Sequence, residues 1–333
     1  MSPLRPTFAL WLVPLLASAA GAGDIHTAAQ EGNLPRVEAL LADQPDLANA
    51  PDDDARRPLH FAAGGGHVEI LALLADHGAD LDARDHHREA PLHGAVRNHQ
   101  YNAAEQLIRR GADIEIRNEY ERTPLLICVR EGGDLRMARL LIEHGADINA
   151  GDKWGSTSLE LAAWRGYRTL VNFLLDQGAH VRVEGHKGRL LLSEAIGRGL
   201  PRLYRELVAA GMDIPIDSDQ GRSFMRRAAA GGSAEIVVDL IERGADAESA
   251  DIYGWTPLHY AAARRRSGVV AELLERIEDP NRRTLSGFSA LNLAREKGGQ
   301  EAARVLLEHG VDRSPRIFPT LSGPYLGQPA PEG

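Results

Sequence analysis

Residues 256–261 read Thr256-Pro257-Leu258-His259-Tyr260-Ala261, and this pattern returns along most of the chain. Related blocks begin at Pro58, Pro91, Thr123, Thr157 and Ser289. The apolar residue of each block, together with that of two divergent copies, recurs every 33 residues with one step of 34: Leu59, Leu92, Leu125, Leu159, Leu192, Met225, Leu258 and Leu291. A period of this length indicates a solenoid, in which each unit is stabilised by stacking on its neighbours.

A glycine recurs with the same spacing in the second half of each unit. Gly78-Ala79-Asp80 and Gly244-Ala245-Asp246 show the most complete form of this second motif. The glycines are Gly78, Gly111, Gly145, Gly178, Gly211, Gly244 and Gly310, whereas the corresponding position near the end holds Ile277. Because glycine adopts the left-handed conformation readily, it is typical of the end of a helix.

Each unit therefore predicts two helices joined by a short turn. Thr or Ser caps the first helix, and Pro follows at the first helical position, where its missing N–H costs nothing. Small and apolar residues such as Leu59 and Ala62 then face the neighbouring unit. In the second helix, Val68, Leu71 and Leu74 recur at helical spacing.

These two motifs resemble the ankyrin repeat over residues 24–313, in about nine units with the first and last acting as caps. The resemblance implies an all-α solenoid of stacked helix-turn-helix units with β-turn or hairpin tips. It also implies that His60, His93 and His259 join helix and turn by hydrogen bonds. The function it implies is non-catalytic binding of a partner protein on the concave face and the turn tips.

The two ends of the chain predict an exported protein with an extended tail. Arg5 precedes the apolar run Phe8–Leu16 and small residues up to Ala22, the pattern of a signal peptide over residues 1–22. Cleavage after Ala22, or alternatively after Ala19, would release a chain for the periplasm or the exterior. Residues 314–333 are rich in Pro and Gly and predict a flexible tail. Part of this tail, Gly323–Pro329, resembles a short segment of exported bacterial β-propeller proteins, which favours a bacterial setting.

Composition argues against several functions. The net charge of −9 disfavours general nucleic-acid binding. Cys128 is the single cysteine, so the chain cannot form an internal disulfide. It occupies a position that holds small residues in other repeats, so we expect it to be buried. The sequence has no catalytic motif, and the adjacent His86 and His87 lack the spacing of a zinc site. We therefore expect neither enzymatic activity nor a metal or cofactor, and a monomer that is not membrane-embedded once the leader is removed.

The candidate partner-binding residues are cationic positions at the ends of the first helices and aromatic residues near the tips. They are Arg97, Arg130, Trp154, Trp164, Arg165, Arg198, Tyr253 and Arg264. The arginines predict a positive strip suited to an acidic partner surface, and the aromatic residues predict interface anchors. Two alternatives remain open: ordinary solubilising arginines, or a strip that binds anionic glycans or lipid head groups.

Overall fold

The computed structural model describes residues 24–216 and 218–311, and within these ranges the chain is helical. The helices are α1 (24–31), α2 (Leu34–Asp43), α3 (Pro58–Gly65), α4 (Val68–Asp76), α5 (Pro91–Arg97), α6 (Tyr101–Arg109), α7 (Pro124–Arg130), α8 (Leu135–Glu143), α9 (Ser158–Arg165), α10 (Arg168–Asp176), α11 (Gly185–Gly197), α12 (Pro201–Ala209), α13 (Asp219–Gly231), α14 (Ala234–Glu242), α15 (Pro257–Ala263), α16 (Ser267–Leu274), α17 (Ala290–Glu296) and α18 (Gln300–Glu308). A 3-10 helix, Pro45–Asn49, follows α2. β-pairing in the described ranges is limited to two isolated bridges, Gly151 with Thr157 and Arg283 with Ser289.

The all-α fold class is confirmed. The predicted leader (1–22) and the predicted tail (314–333) lie outside the described residues. Two compact units make up the chain. One runs to Ala162 and also includes Phe173–Ala179, and the other comprises Ala163–Asn172 and the residues from His180 onward.

In the N-terminal unit, consecutive helices form antiparallel pairs that stack in two layers. The first helices of successive pairs pack together, α3 on α5 and α5 on α7, while α2, α4 and α6 form the second layer. Leu59, Leu92 and Leu125, the repeated apolar residues, are fully buried between them. The 33-residue period therefore places one leucine of each unit in a continuous apolar core.

Glycine ends the second helices, as predicted. Gly78 and Gly111 follow α4 and α6 with φ of 78° and 96°. A Cβ at either position would meet no atom within 4 Å, so the left-handed backbone alone favours glycine. Near Ile277 the chain leaves α16 at Leu274, and the N–H of Arg276 donates to the Leu273 carbonyl at 2.9 Å. This earlier exit needs no left-handed residue.

The second unit contains two longer first helices, α11 and α13, each of 13 residues. Both divergent copies of the repeat therefore begin their helix before the position where Thr-Pro stands elsewhere. α11 packs on α13, α13 on α15 and α15 on α17, and α12, α14, α16 and α18 form the second layer. Over the described residues, none of the helices combines the length and the apolar character needed to cross a bilayer.

Candidate functional site: an arginine-rich groove and an aromatic turn tip

Five of the turn tips that precede first helices share one hydrogen-bond frame. In these five, a side-chain oxygen accepts the N–H groups two and four residues later. Asp85 Oδ1 accepts from His87 and Glu89 at 2.8 Å, and Asp152 Oδ1 accepts from Trp154 at 3.0 Å and Ser156 at 2.9 Å. Asp52, Asn118 and Asp251 do the same in their units.

Backbone hydrogen bonds then connect tips of adjacent repeats. The N–H of Glu119 donates to the His87 carbonyl, and that of Lys153 to the Tyr120 carbonyl, both at 3.0 Å. In the second unit, Leu285 N–H donates to the Tyr253 carbonyl at 3.0 Å. A side chain on one tip is thereby held in a fixed position beside the side chain of the next tip.

A groove of about 740 Å³ lies in the second unit, along the ends of the first helices. Six arginines line it: Arg165, Arg198, Arg226, Arg227, Arg264 and Arg266. Glu194 and Asp251 are the two carboxylates in the lining. The groove therefore carries an excess of positive charge, although the chain as a whole is acidic.

Glu194 and Asp251 are both engaged by neighbouring groups. Glu194 forms ion pairs with Arg198 at 2.8 Å and with Arg227 at 3.6 Å. Asp251 Oδ2 accepts a hydrogen bond from the Tyr260 hydroxyl at 2.7 Å, and burial with this bond raises the pKa of Tyr260. Both carboxylates therefore have an ion-pair or hydrogen-bond partner within the groove lining.

Four groove arginines, Arg165, Arg226, Arg264 and Arg266, form no ion pair with any residue of the described ranges. One guanidinium nitrogen of Arg226, Nη1, is buried and has no hydrogen-bond partner there. Glycine at position 197 leaves room for another groove arginine, because a Cβ there would lie 2.7 Å from Arg227 Nη2. Unpaired guanidinium groups in a concave surface are suited to bidentate binding of carboxylates.

A second group of side chains stands on the tips of the N-terminal unit. The Tyr120 and Trp154 rings stack at a centroid distance of 6.1 Å and an interplanar angle of 16°. The Arg122 guanidinium lies 4.6 Å from the Tyr120 centroid, and Lys153 Nζ lies 4.9 Å from the Trp154 centroid. Trp154 remains 54% exposed.

A family model described as ankyrin repeats (three copies) matches residues 25–118, 92–185, 192–284 and 224–316. The chain belongs to the ankyrin-repeat family. Among curated proteins, none matches the chain. Ankyrin repeats generally serve as protein–protein interaction modules and are typically non-catalytic. The helix pairs, the tips and the glycine-terminated second helices are the parts that this family shares.

The family histidines join helix and turn, as the resemblance implied. His93 Nδ1 accepts the Ala90 N–H at 3.0 Å, and its Nε2 contacts the Arg122 carbonyl at 3.1 Å. His60 and His259 form the same pair of bonds. Burial lowers the pKa of all three, that of His259 to about 4, so each ring is neutral at pH 7.

His87 and Cys128, which the sequence raised as possible metal-binding or reactive residues, form contacts within the fold. His87 Nδ1 lies 3.2 Å from Glu119 Oε1 on the next tip. Cys128 is buried, as expected, its thiol donates to the Asp134 carbonyl at 3.4 Å, and burial raises its pKa to about 12. Across residues 24–216 and 218–311, no three His, Cys, Asp or Glu side chains are grouped so as to hold a metal ion.

The predicted partner-binding residues fall into different surroundings. Arg165, Arg198 and Arg264 line the groove, whereas Trp164 is partly buried, with its indole nitrogen covered. Tyr253 is partly buried on its tip, and the nearby Trp255 is only 9% exposed and packs against Tyr260.

In the N-terminal unit, the two predicted arginines stand beside carboxylates. Arg97 forms a two-point ion pair with Glu89, which also accepts from Asn118, and this pairing lowers the pKa of Glu89 despite its burial. Arg130 Nε lies 3.8 Å from Glu131. These two residues add little net positive charge to their surface. Their role in binding stays a prediction.

Sequence reasoning missed Arg122 and Lys153. Arg122 lies two residues after Tyr120, and Lys153 lies one residue before Trp154. Basic residues next to an aromatic tip position are the signal that points to them.

Proposed function

We propose that this ankyrin-repeat chain is a non-catalytic interaction protein outside the cytoplasm, whose groove binds an acidic segment of a partner protein. The observation that carries the proposal is the set of six groove arginines, four of them without an ion-pair partner in the described chain. Specificity in such a fold resides in the side chains on the repeat scaffold.

Charge and size both support an acidic peptide segment as the ligand. The groove attracts carboxylates locally, while the net charge of −9 repels acidic surfaces elsewhere on the molecule. This contrast steers an acidic partner toward one orientation. A volume of about 740 Å³ matches the size of common ligand sites and admits a short peptide segment rather than a whole domain.

The local chemistry supports binding rather than catalysis. Arginine guanidinium groups stay protonated and cannot act as bases. The raised pKa of Tyr260 keeps its hydroxyl protonated, and Glu194 and Asp251 are held by ion pairs and hydrogen bonds. Export is supported by the apolar run Phe8–Leu16 followed by the small residues up to Ala22.

Binding of an acetylated, amidated decaglutamate peptide tests the groove. Replacing two of the unpaired arginines in an Arg165→Gln/Arg264→Gln variant should weaken binding by about tenfold, a loss near 1.4 kcal/mol. The association rate should fall with added salt in the unmodified protein, and less steeply in the variant.

The matched control removes two arginines from second helices, Arg205→Gln on α12 and Arg304→Gln on α18. Both side chains are exposed, and we expect binding to change by less than about twofold. Equal losses from both pairs would show that only net charge matters, and the groove proposal would fail. Binding of a heparin fragment or of phosphatidylglycerol vesicles through Arg165 and Arg264, without decaglutamate binding, would assign the groove to glycans or lipids instead.

A further inference from the structure

Arg122 is a buried arginine without a counter-ion. It is 8% exposed, and its Nε–H is buried without a hydrogen-bond acceptor in the described chain. Neither Arg122 nor the neighbouring Lys153 forms an ion pair with any described residue. Burial and the charge of Arg130 lower the pKa of the Arg122 guanidinium. Unpaired buried charge of this kind is costly, which indicates that a partner is missing.

The aromatic rings offset only part of this cost. The Arg122 guanidinium lies 4.6 Å from the Tyr120 centroid and 5.4 Å from that of Trp154. Lys153 Nζ lies 5.0 Å and 4.9 Å from the same two centroids. Cation–π attraction stabilises each charge. It also brings two like charges to the same pair of rings, where they repel each other.

The two carboxylates that act electrostatically on Arg122, Asp152 and Glu131, do not pair with it. Asp152 Oδ1 accepts the N–H groups of Trp154 and Ser156 and so maintains the turn. Glu131 contacts Arg130 instead, at 3.8 Å. The cluster therefore presents two cations, an exposed Trp154 face and a buried N–H donor to any group that approaches the tip.

We propose that Tyr120, Arg122, Lys153 and Trp154 form a binding site for a carboxylate of a partner protein, an Asp or Glu side chain whose methylene groups lie on the Trp154 ring. The carboxylate accepts from the Arg122 guanidinium and pairs with Lys153. This site belongs to the N-terminal unit and uses none of the groove residues, so it stands or fails independently of the groove.

Solution NMR of the full chain tests the site at Arg122 itself. The probe is an acetylated, amidated tetraglutamate peptide, and the readout is the Arg122 Nε–H resonance, assigned by its loss in Arg122→Lys. A saturable downfield shift is expected. The exposed variants Trp154→Ala and Lys153→Gln, which keep Arg122 in place, should each raise the dissociation constant about fivefold.

Tetraglutamine is the uncharged control and should leave the Arg122 resonance unmoved. The Arg165→Gln/Arg264→Gln groove variant should retain the full shift, which separates this site from the groove. The proposal is overturned if tetraglutamate produces no shift, if Trp154→Ala and Lys153→Gln leave the dissociation constant unchanged, or if sodium chloride at equal ionic strength produces the same shift.

Discussion

In six of the turn tips one residue is left-handed, whatever its type. In three tips this residue is not glycine: Ala55, Arg88 and Glu121, with φ of 61°, 58° and 56°. In three others it is glycine: Gly155, Gly254 and Gly287, with φ of 69°, 76° and 79°. The shared hydrogen-bond frame imposes this backbone, so the non-glycine residues are held in a conformation that disfavours a Cβ.

Ala55→Gly should raise the free energy of unfolding by about 0.5–1 kcal/mol, because the left-handed strain is relieved and only a methyl group is lost. The same substitution within helix α4, Ala72→Gly, should lower it by about 1 kcal/mol. Urea unfolding of both variants checks the pair. Two changes of the same sign would contradict the strain at the tip.

His259 makes stability depend on pH between its ordinary pKa of 6.5 and its folded value of about 4. In this window the unfolded chain takes up a proton and the folded chain does not, so the free energy of unfolding falls as pH falls. His259→Asn keeps the acceptor for the Thr256 N–H, as Asn292 does for Ser289. The variant should be less stable at pH 7.5 by about 1–2 kcal/mol, from the lost Phe288 bond and ring packing.

That difference should shrink as the pH is lowered to 4.5, because only the unmodified protein loses the contribution of a neutral imidazole. Chemical unfolding at several pH values measures it. A difference that stays constant over this range would show that His259 is not the titrating group.

Helices α11 and α13 show how an element adapts when its start signals are absent. Both continue toward the N-terminus, and each accommodates the backbone of the preceding segment through a glycine. A Cβ on Gly188 would lie 2.5 Å from the Val183 carbonyl oxygen, and one on Gly221 would lie 2.2 Å from the Ile216 oxygen. The close backbone approach, rather than helix propensity, explains glycine at these two positions.

Gly221→Ala should therefore destabilise the protein by about 2–3 kcal/mol, because the Ile216 backbone must move. Gly268, in α16, meets no atom within 4 Å at its Cβ position. Gly268→Ala should instead stabilise by a few tenths of a kcal/mol up to about 1 kcal/mol. Thermal unfolding compares the two, and a loss from Gly268→Ala equal to that from Gly221→Ala would contradict the steric cause.

The sequence predicts elements better than it predicts the site, for a physical reason. Leu59, Leu92 and the turn glycines act through the backbone and core of their own unit, so their spacing is informative. The partner of Arg97 lies eight residues before it, at Glu89, and the rings around Arg122 come from two adjacent tips. Such neighbours follow from side-chain rotamers and repeat stacking, which periodicity does not specify.

For the whole molecule, charge distribution matters more than total charge. The chain has 47 acidic and 38 basic residues, yet the groove has six arginines against two carboxylates. If Arg5 is removed with the leader, the remaining chain becomes more acidic. An acidic surface with one cationic groove discourages self-association and restricts where an acidic partner binds.

Export into the bacterial periplasm should yield a chain that begins at Gly23, or at Ala20 if cleavage follows Ala19. Replacing both small residues of the predicted recognition site, Ala20→Leu and Ala22→Leu, should slow this processing. Intact-mass analysis of the protein from the periplasmic fraction measures it. A soluble chain that retains Met1 in the cytoplasm would contradict the proposed location.

The identical placement of the helix starts in successive repeats has a consequence for gene length. Pro91 and Pro124 occupy the same place at the start of α5 and α7, and Ala90 and Thr123 precede them as caps. Excision of residues 92–124 would join Pro91 to Leu125 with every helix signal still in phase. Unequal recombination between copies can therefore shorten or lengthen the reading frame by one repeat and leave the junction foldable.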